Sequence, residues 1–313
     1  MINRTIISIC IALFTAYLVS RKKRRTRLQV VASHGEKVFL VGCSSGIGKA
    51  LALLYARRGA KLVLVARRKP LLDALVEECL AAGASLAVGM AGDVTQVEDM
   101  ARIVATSPFQ DGIDTVIYCA GAISVRPFMD ISGIIISDNK IIQQEEEKVD
   151  QAMKDITNIN YFAAVHTTRL VLPFLLKSFF QQRQPNLIVI SSMAGKVGAP
   201  TRSLYSGSKH AVHGFFDSLR VELAPYNIHV GIVCPGTVDT DLRQSAVDLD
   251  ASTSVIAGST KGKLSPQVVA ERILLASDAR EREVYLPGYY YWALWLSRSW
   301  IDGFAKRKYR QAS

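Results

Sequence analysis

Cysteine is scarce in this chain of 313 residues: five side chains, Cys10, Cys43, Cys79, Cys119 and Cys234, with no CxxC or CxC spacing among them. That pattern excludes a disulfide framework and a thiolate metal site, so no metal is expected, and it suits reduced, buried thiols in the cytosol. Charge is also scarce, at 21% against 49% hydrophobic residues. Acidic side chains are the rarer sign, 27 against 38 Lys and Arg, which leaves a net charge of +11. The excess sits at the two ends. Arg21, Lys22, Lys23, Arg24, Arg25 and Arg27 form one cluster, and Arg298, Lys306, Arg307, Lys308 and Arg310 the other. A stripe that tracks nucleic-acid phosphates would run through the folded body instead. Basic clusters beside apolar segments suit anionic lipid head groups, so membrane lipid is the expected partner and nucleic acid is not. No internal repeat and no low-complexity tract interrupts the chain, which is long enough for one large core with terminal appendages.

Long uncharged apolar runs are limited to residues 6–20, IISICIALFTAYLVS. A span usually needs about twenty residues, so this segment is either a short span helped by snorkelling Arg4 and Arg21 or an interfacial helix. The positive charges follow the run rather than precede it, the reverse of a cleaved signal peptide. A retained anchor is expected, with the body of the chain on the cytosolic side of a membrane such as the endoplasmic reticulum. Tryptophan is rare too, and all three lie within residues 292–300, after Tyr289, Tyr290 and Tyr291. This segment reads as an aromatic helix for the water–lipid boundary, for closing the core or for a subunit contact. The expected organisation is therefore an anchor with its basic flank at 1–28, a catalytic domain at 37–288 and an aromatic, basic helix at 289–313.

The body alternates short apolar strands with helices. Strands are expected at 37–42, 61–66, in the segment ending near 93, and at 114–121, 186–192, 229–236 and 283–288. Helices are expected at 49–58, 70–82, 97–106, 149–177 and 206–223, and from 265 to 276, where Ser265 caps and Pro266 occupies the first turn. Continuous apolar strands alternating with helices predict an α/β fold with a doubly wound parallel sheet of Rossmann type.

The chain lacks the GxGxxG turn and the acidic residue that usually follow the first and second strands of a dinucleotide fold. The first strand runs instead into Gly42-Cys43-Ser44-Ser45-Gly46-Ile47-Gly48, a turn whose glycines let backbone N–H groups approach a pyrophosphate at a helix N-terminus. The second strand ends in Ala66-Arg67-Arg68, whose guanidinium groups suit a 2′-phosphate, so NADP(H) is favoured over NAD. Tyr205 and Lys209 lie one turn apart on one helix face, and Ser192 ends a buried strand thirteen residues earlier. A phenol has a pKa near 10, and a neighbouring ammonium lowers it by favouring the phenolate.

Turn, Ser192, Tyr205 and Lys209 together resemble the short-chain dehydrogenase/reductase family over residues 37–245, including SSMAG at 191–195, YSGSK at 205–209 and PGTVDT at 235–240. The layout is similar to membrane-bound 3-ketosphinganine reductases and hydroxysteroid dehydrogenases. The resemblance implies that Tyr205 is the general acid and base, that Ser192 holds the substrate oxygen, and that Lys209 tunes the phenol and grips the nicotinamide ribose. Asn160, with Asn158 as the weaker alternative, would hold a water wired to Lys209. Cofactor contacts are implied for Gly42, Ser44, Ser45, Gly46, Ile47, Gly48, Arg67, Arg68, Asp93, Val94, Ala120, Gly121, Tyr205, Lys209, Pro235, Gly236, Val238 and Thr240. The polar segment 240–265 would form a mobile lid, and a homodimer or homotetramer is the family habit. The expected activity is carbonyl–alcohol interconversion on a small lipophilic substrate; the alternative is an idle NADP(H)-binding sensor at a membrane. The chain departs from the family at Val41, where threonine is usual, and at Tyr118-Cys119, where two asparagines are usual. The stretch from Gly121 to Asn160, containing Ile134 to Ile136, is also longer than usual.

Overall fold

The computed structural model describes residues 27–143, 148–243, 246–249 and 262–296. The expected anchor and the basic end after Leu296 lie outside them. The chain alternates β1 (Lys37–Val41), α1 (Gly46–Arg57), β2 (Lys61–Ala66), α2 (Lys69–Ala81), β3 (Leu86–Ala91), α3 (Val97–Thr106) and β4 (Thr115–Tyr118). A short α4 (Phe128–Ile131) and the hairpin β5 (Ile134–Ser137) and β6 (Lys140–Gln143) follow. Next come α5 (Lys148–Thr157), α6 (Ala163–Phe180), β7 (Asn186–Ile190), α7 (Ser203–Leu223), β8 (His229–Pro235), α8 (Pro266–Ala279), β9 (Glu283–Leu286) and α9 (Tyr289–Leu296).

Seven strands make one parallel sheet in the order β3-β2-β1-β4-β7-β8-β9. Successive strand residues point to opposite faces, and the burial follows that rule. Val38 and Leu40 pack with α1, α2 and α8 on one face, while Phe39 and Val41 pack with α3, α6 and α7 on the other. Being covered on both sides, the strands carry no polar alternation, which is why they read as unbroken apolar runs. The strand order reverses between β1 and β4, and that switch point opens a crevice at the C-terminal ends of the strands. The expected doubly wound fold is what the chain adopts.

Three details differ from the sequence reading. The helix expected at 149–177 is two helices joined by a π-helical segment, Asn158–Phe162, an insertion that often marks a functional site. The residues after Gly133 form an antiparallel hairpin whose turn residues Asp138 and Asn139 have φ of 50 and 59°, the left-handed pair of a tight hairpin turn. Arg27, counted above with the lipid-facing cluster, belongs to the fold. It pairs with Glu36 at 2.8 Å with both side chains 0% exposed, and donates to Gln184 O at 2.9 Å and Thr115 Oγ1 at 2.7 Å. A buried carboxylate at the entry to β1 demands a cation there, and Arg27 supplies it.

Among the described residues one helical stretch, Val149–Phe180, is long and apolar enough to cross a membrane by length and composition. Thr167, Val171 and Leu175 on it are buried in the domain, so it is a core helix whose apolar character comes from packing on the sheet. The free thiols Cys43, Cys79 and Cys234 are buried, in keeping with the reduced cysteines expected.

Candidate active site

The four segments singled out in the sequence leave neighbouring strands at the same edge of the sheet. Gly42 follows β1 with φ +81°, and a Cβ there would lie 2.4 Å from the backbone nitrogen of Ala120, just past β4. Gly48 is as tight: its Cβ would meet the carbonyl oxygen of Gly42 at 2.1 Å. Only glycine lets the turn fold back on itself and pass so close to the end of β4. The turn delivers Ser45, extended and making no side-chain cap, to the start of α1 at Gly46, so the first-turn N–H groups face the crevice. Ile47 packs inward on the core. Thr240 closes the far side, its Cγ2 lying 3.0 Å from where a Cβ of Gly46 would be. Behind it, Gly236 N–H donates to Leu286 O at 2.7 Å just beyond Pro235, and Val238 bridges to Leu264.

Arg67 and Arg68 stand at the end of β2. The Arg68 guanidinium lies over the turn, donating to Ser44 Oγ at 2.8 Å and Ser45 Oγ at 3.0 Å. Arg67, also exposed, lies 3.7 Å from Asp93 Oδ2. Asp93 is held by Thr95, whose N–H and hydroxyl both donate to its Oδ1, and Val94 beside it is buried.

Ser192, Tyr205 and Lys209 come together where β7 ends. Ser192 opens a single 3-10 turn, Met193–Gly195, and its Oγ accepts from Ala194 N–H at 3.1 Å. Tyr205 is 7% exposed. Burial pushes its phenol above the ordinary range, and its hydrogen bond to Ser192 and the charge of Arg202 pull it back down. Lys209 Nζ lies 5.9 Å from the Tyr205 ring centre and donates to Ile190 O at 3.0 Å. Burial brings Lys209 down to about 8. The ammonium is turned to a carbonyl, its own charge is costly there, and Ser192 and Arg202 supply the opposing effect.

Asn160 is fully engaged. Its Oδ1 accepts from Ala122 N–H at 2.9 Å, and its Nδ2 donates to Ala122 O and to Ser208 Oγ, both at 3.0 Å. Reciprocal bonds to one residue fix the amide orientation. Ser208 in turn donates to Tyr205 O at 2.8 Å. The Asn160 side chain is thus a lock joining the end of β4 to the first turn of α7. Asn158, the alternative, makes no such contact among the described residues. Gly121 sits inside the lock, with its added Cβ 2.9 Å from Asn160 Oδ1 and 3.6 Å from Lys209 Nζ. The departure at Tyr118 is also explained: its hydroxyl donates to Ile159 O at 2.7 Å and ties β4 to the π segment.

Sequence reasoning missed Ser208, Ser124, Arg202 and Asp248. Ser124 Oγ accepts from Tyr205 N–H at 3.3 Å. Asp248, in the expected lid, accepts from Val125 N–H at 2.8 Å and Arg126 N–H at 2.8 Å. The YSGSK word contained Ser208, but nothing local marked Asp248, whose partners lie far away in the chain. The lid residues Leu242, Ala246, Val247 and Leu249 join Ile123 and Val125 in an apolar cluster over Tyr205. The site can therefore hold a dinucleotide phosphate on a glycine turn and present two hydroxyls and a buried amine to an apolar ligand.

A family profile described as short chain dehydrogenase matches residues 36–250. The Xenopus laevis dehydrogenase/reductase SDR family member 7B is 32% identical over 256 residues, covering 80% of this chain and 73% of that protein. The Arabidopsis thaliana 11-beta-hydroxysteroid dehydrogenase 1A is 33% identical over 212 residues, 67% of this chain and 54% of that one. Among solved structures, a short chain dehydrogenase from Burkholderia cenocepacia in complex with NADP superposes with a TM-score of 0.66 at 22% identity, covering 87% of this chain and 98% of that one. One from Burkholderia phymatum in complex with NAD gives 0.68 at 20%, covering 86% and 95%; both show the shared fold. The sheet order, the glycine turn under Ala120 and the Ser192–Tyr205–Lys209 cluster agree with the sequence matches, and the chain belongs to the short-chain dehydrogenase/reductase family of oxidoreductases.

Proposed function

We propose that this protein is an NADP(H)-dependent oxidoreductase that interconverts a carbonyl and an alcohol on a lipophilic substrate at a membrane surface. The observation that carries the reading is the half-buried Ser192 hydroxyl hydrogen-bonded to the buried Tyr205, beside the buried Lys209, in an apolar cluster and next to a turn that only glycine can make. A nicotinamide dinucleotide fits that turn, and when bound it supplies or accepts the hydride at the substrate carbon. The residues do the rest. Ser192 and Tyr205 orient the substrate oxygen by hydrogen bonds. Burial keeps Tyr205 protonated at neutral pH, which suits it to donate a proton to an oxygen gaining negative charge during reduction. Leu242, Ile123 and Val125 exclude water and favour an apolar substrate.

Arg67 and Arg68, standing where an acid would contact ribose hydroxyls, support a 2′-phosphate and hence NADP(H). The 11-beta-hydroxysteroid dehydrogenases among the relatives, the apolar wall over Tyr205 and the apolar run at 6–20 support a membrane-soluble ketone of sterol, retinoid or ketosphingoid type. A retained anchor at 6–20 would hold the domain on the cytosolic side of the endoplasmic reticulum. The test is NADPH oxidation by the detergent-solubilised full chain with a panel of lipid ketones. Turnover that drops about 10²–10⁴-fold in Tyr205→Phe is expected. Tight NADPH binding with no turnover of any carbonyl would replace the enzyme by the sensor.

A further inference from the structure

The apolar cluster around Tyr205 borders a separate cavity of about 120 Å³. Three segments each give a residue to the cluster and the same or a nearby residue to the cavity. On α5, Ile156 packs in the cluster, and Ala152, one turn earlier on the same face, lines the cavity. After β4, Val125 belongs to the cluster and Arg126 to the cavity. In the lid segment, Val247 and Leu249 belong to both, so the two spaces share a wall. Hydrogen bonds fix that wall in place. Asp248, 7% exposed, accepts from the N–H groups of Val125 and Arg126, and Val247 N–H donates to Ile123 O at 3.0 Å. The chain therefore builds the cavity itself, as pockets for small molecules are usually built. Ile131, Ala152, Val247 and Leu249 make its walls apolar, and the exposed Gln151 stands at its open side. An apolar cavity of about 150 Å³ takes up a benzene-sized ligand. By that measure this one fits about four to five carbons, enough for an alkyl arm and too few for a fused ring system.

We propose that this cavity is a subsite for a straight alkyl arm on the substrate whose carbonyl meets Tyr205. The inference rests on the oxidoreductase reading and narrows its substrate class to a ketone with an unbranched chain beside the carbonyl. Such an arm passes along Ile156 and Val247 and ends between Ala152, Ile131 and Leu249. The ketosphingoid type has an arm of this kind, whereas a sterol ring system would leave the cavity unfilled.

The experiment reads binding, not turnover, so its failure is separable from failure of the oxidoreductase reading. Butanol, hexanol, octanol and decanol are titrated into the full-length, detergent-solubilised protein holding NADPH, to which an alcohol cannot pass a hydride. Quenching of the cofactor fluorescence gives their affinities. For the wild type, affinity should rise about threefold to fourfold per methylene as the arm enters the cavity, and level off once about five carbons fill it. Ala152→Leu puts a larger side chain into the cavity, so its loss of affinity should grow with chain length. The loss should stay within about threefold for butanol and reach about tenfold or more for decanol. A defect in the fold would weaken every length alike. If Ala152→Leu lowers the thermal unfolding midpoint, Val247→Phe fills the cavity from the half-buried lid side and should give the same slope. Variant and wild type meet the same micelles, so partitioning cancels in their ratio. A loss equal at all lengths in both variants, or a wild-type affinity that does not change from butanol to decanol, overturns the proposal. Absence of binding by every alcohol overturns it equally, while hydride transfer from NADPH to a ketone still decides the oxidoreductase reading.

Discussion

Tyr205 and Lys209 meet a conflict that burial creates. A buried phenol resists losing its proton and a buried ammonium resists keeping one, so the pair is pushed in opposite directions by the same environment. Ser192 and Arg202 relieve the phenol, while Ile190 O accepts a hydrogen bond from Lys209. Lys209 is lowered from 10.5 to about 8. Between those values the unfolded chain binds the proton and the folded chain does not, so stability rises with pH across that window. Below it, keeping the charge buried costs on the order of 3 kcal/mol. Lys209→Met should therefore be more stable than the wild type at pH 7 in urea unfolding, and should lose that advantage as the pH approaches 10.5. Equal midpoints at pH 7 would show that the amine is better solvated than its surroundings indicate.

At the scale of elements, the first turn of α7 is held by a chain of side chains rather than by a cap. Ala122, Asn160, Ser208 and Tyr205 O are linked in sequence, and Ser124 takes the Tyr205 N–H. Asn160→Ala leaves the buried N–H and C=O of Ala122 unpaired, at about 1–3 kcal/mol each. The expected result is a lower urea midpoint and a drop in kcat larger than any rise in KM, because the end of β4 would no longer be registered against Tyr205. A rise in KM alone would show that Asn160 only supports the fold. The sheet was legible because strands covered on both faces are unbroken apolar runs between turn residues. The glycine turn and the Tyr205–Lys209 spacing were legible because their geometry is local. The π segment was not, since an i→i+5 bond leaves no mark on periodicity, and the hairpin was not, since Ile135, Ile136, Ile141 and Ile142 give it no polar face. Arg27 looked like one more residue of a basic run, and only the buried Glu36 distinguishes it.

For the whole molecule, cofactor and substrate readings converge on the C-terminal edge of the sheet. The glycine turn, the arginines after β2 and the loop after β8 surround one side of the crevice, while the lid residues and Tyr205 close the other. Exposed aromatics of α9, Tyr289, Tyr291 and Trp292, leave the sheet from that same edge, and Tyr290 packs against Gly236. Tyrosine and tryptophan there suit the water–lipid boundary, which would let a membrane-dissolved ketone reach the crevice without crossing bulk water. If the guanidinium groups after β2 choose the cofactor, Arg67→Asp should shift the ratio of kcat/KM for NADPH over NADH by about tenfold or more toward NADH. An unchanged ratio would leave Arg68 as the sole determinant. The most direct test of the central claim follows the hydrogen itself. NADPH deuterated at C4 is given to the full chain with a lipid ketone, and the alcohol is analysed by mass spectrometry. The account predicts one deuterium on the new carbinol carbon, formed by the wild type and lost with Tyr205→Phe. An alcohol without deuterium, or one formed by Tyr205→Phe within about threefold of the wild-type rate, contradicts it.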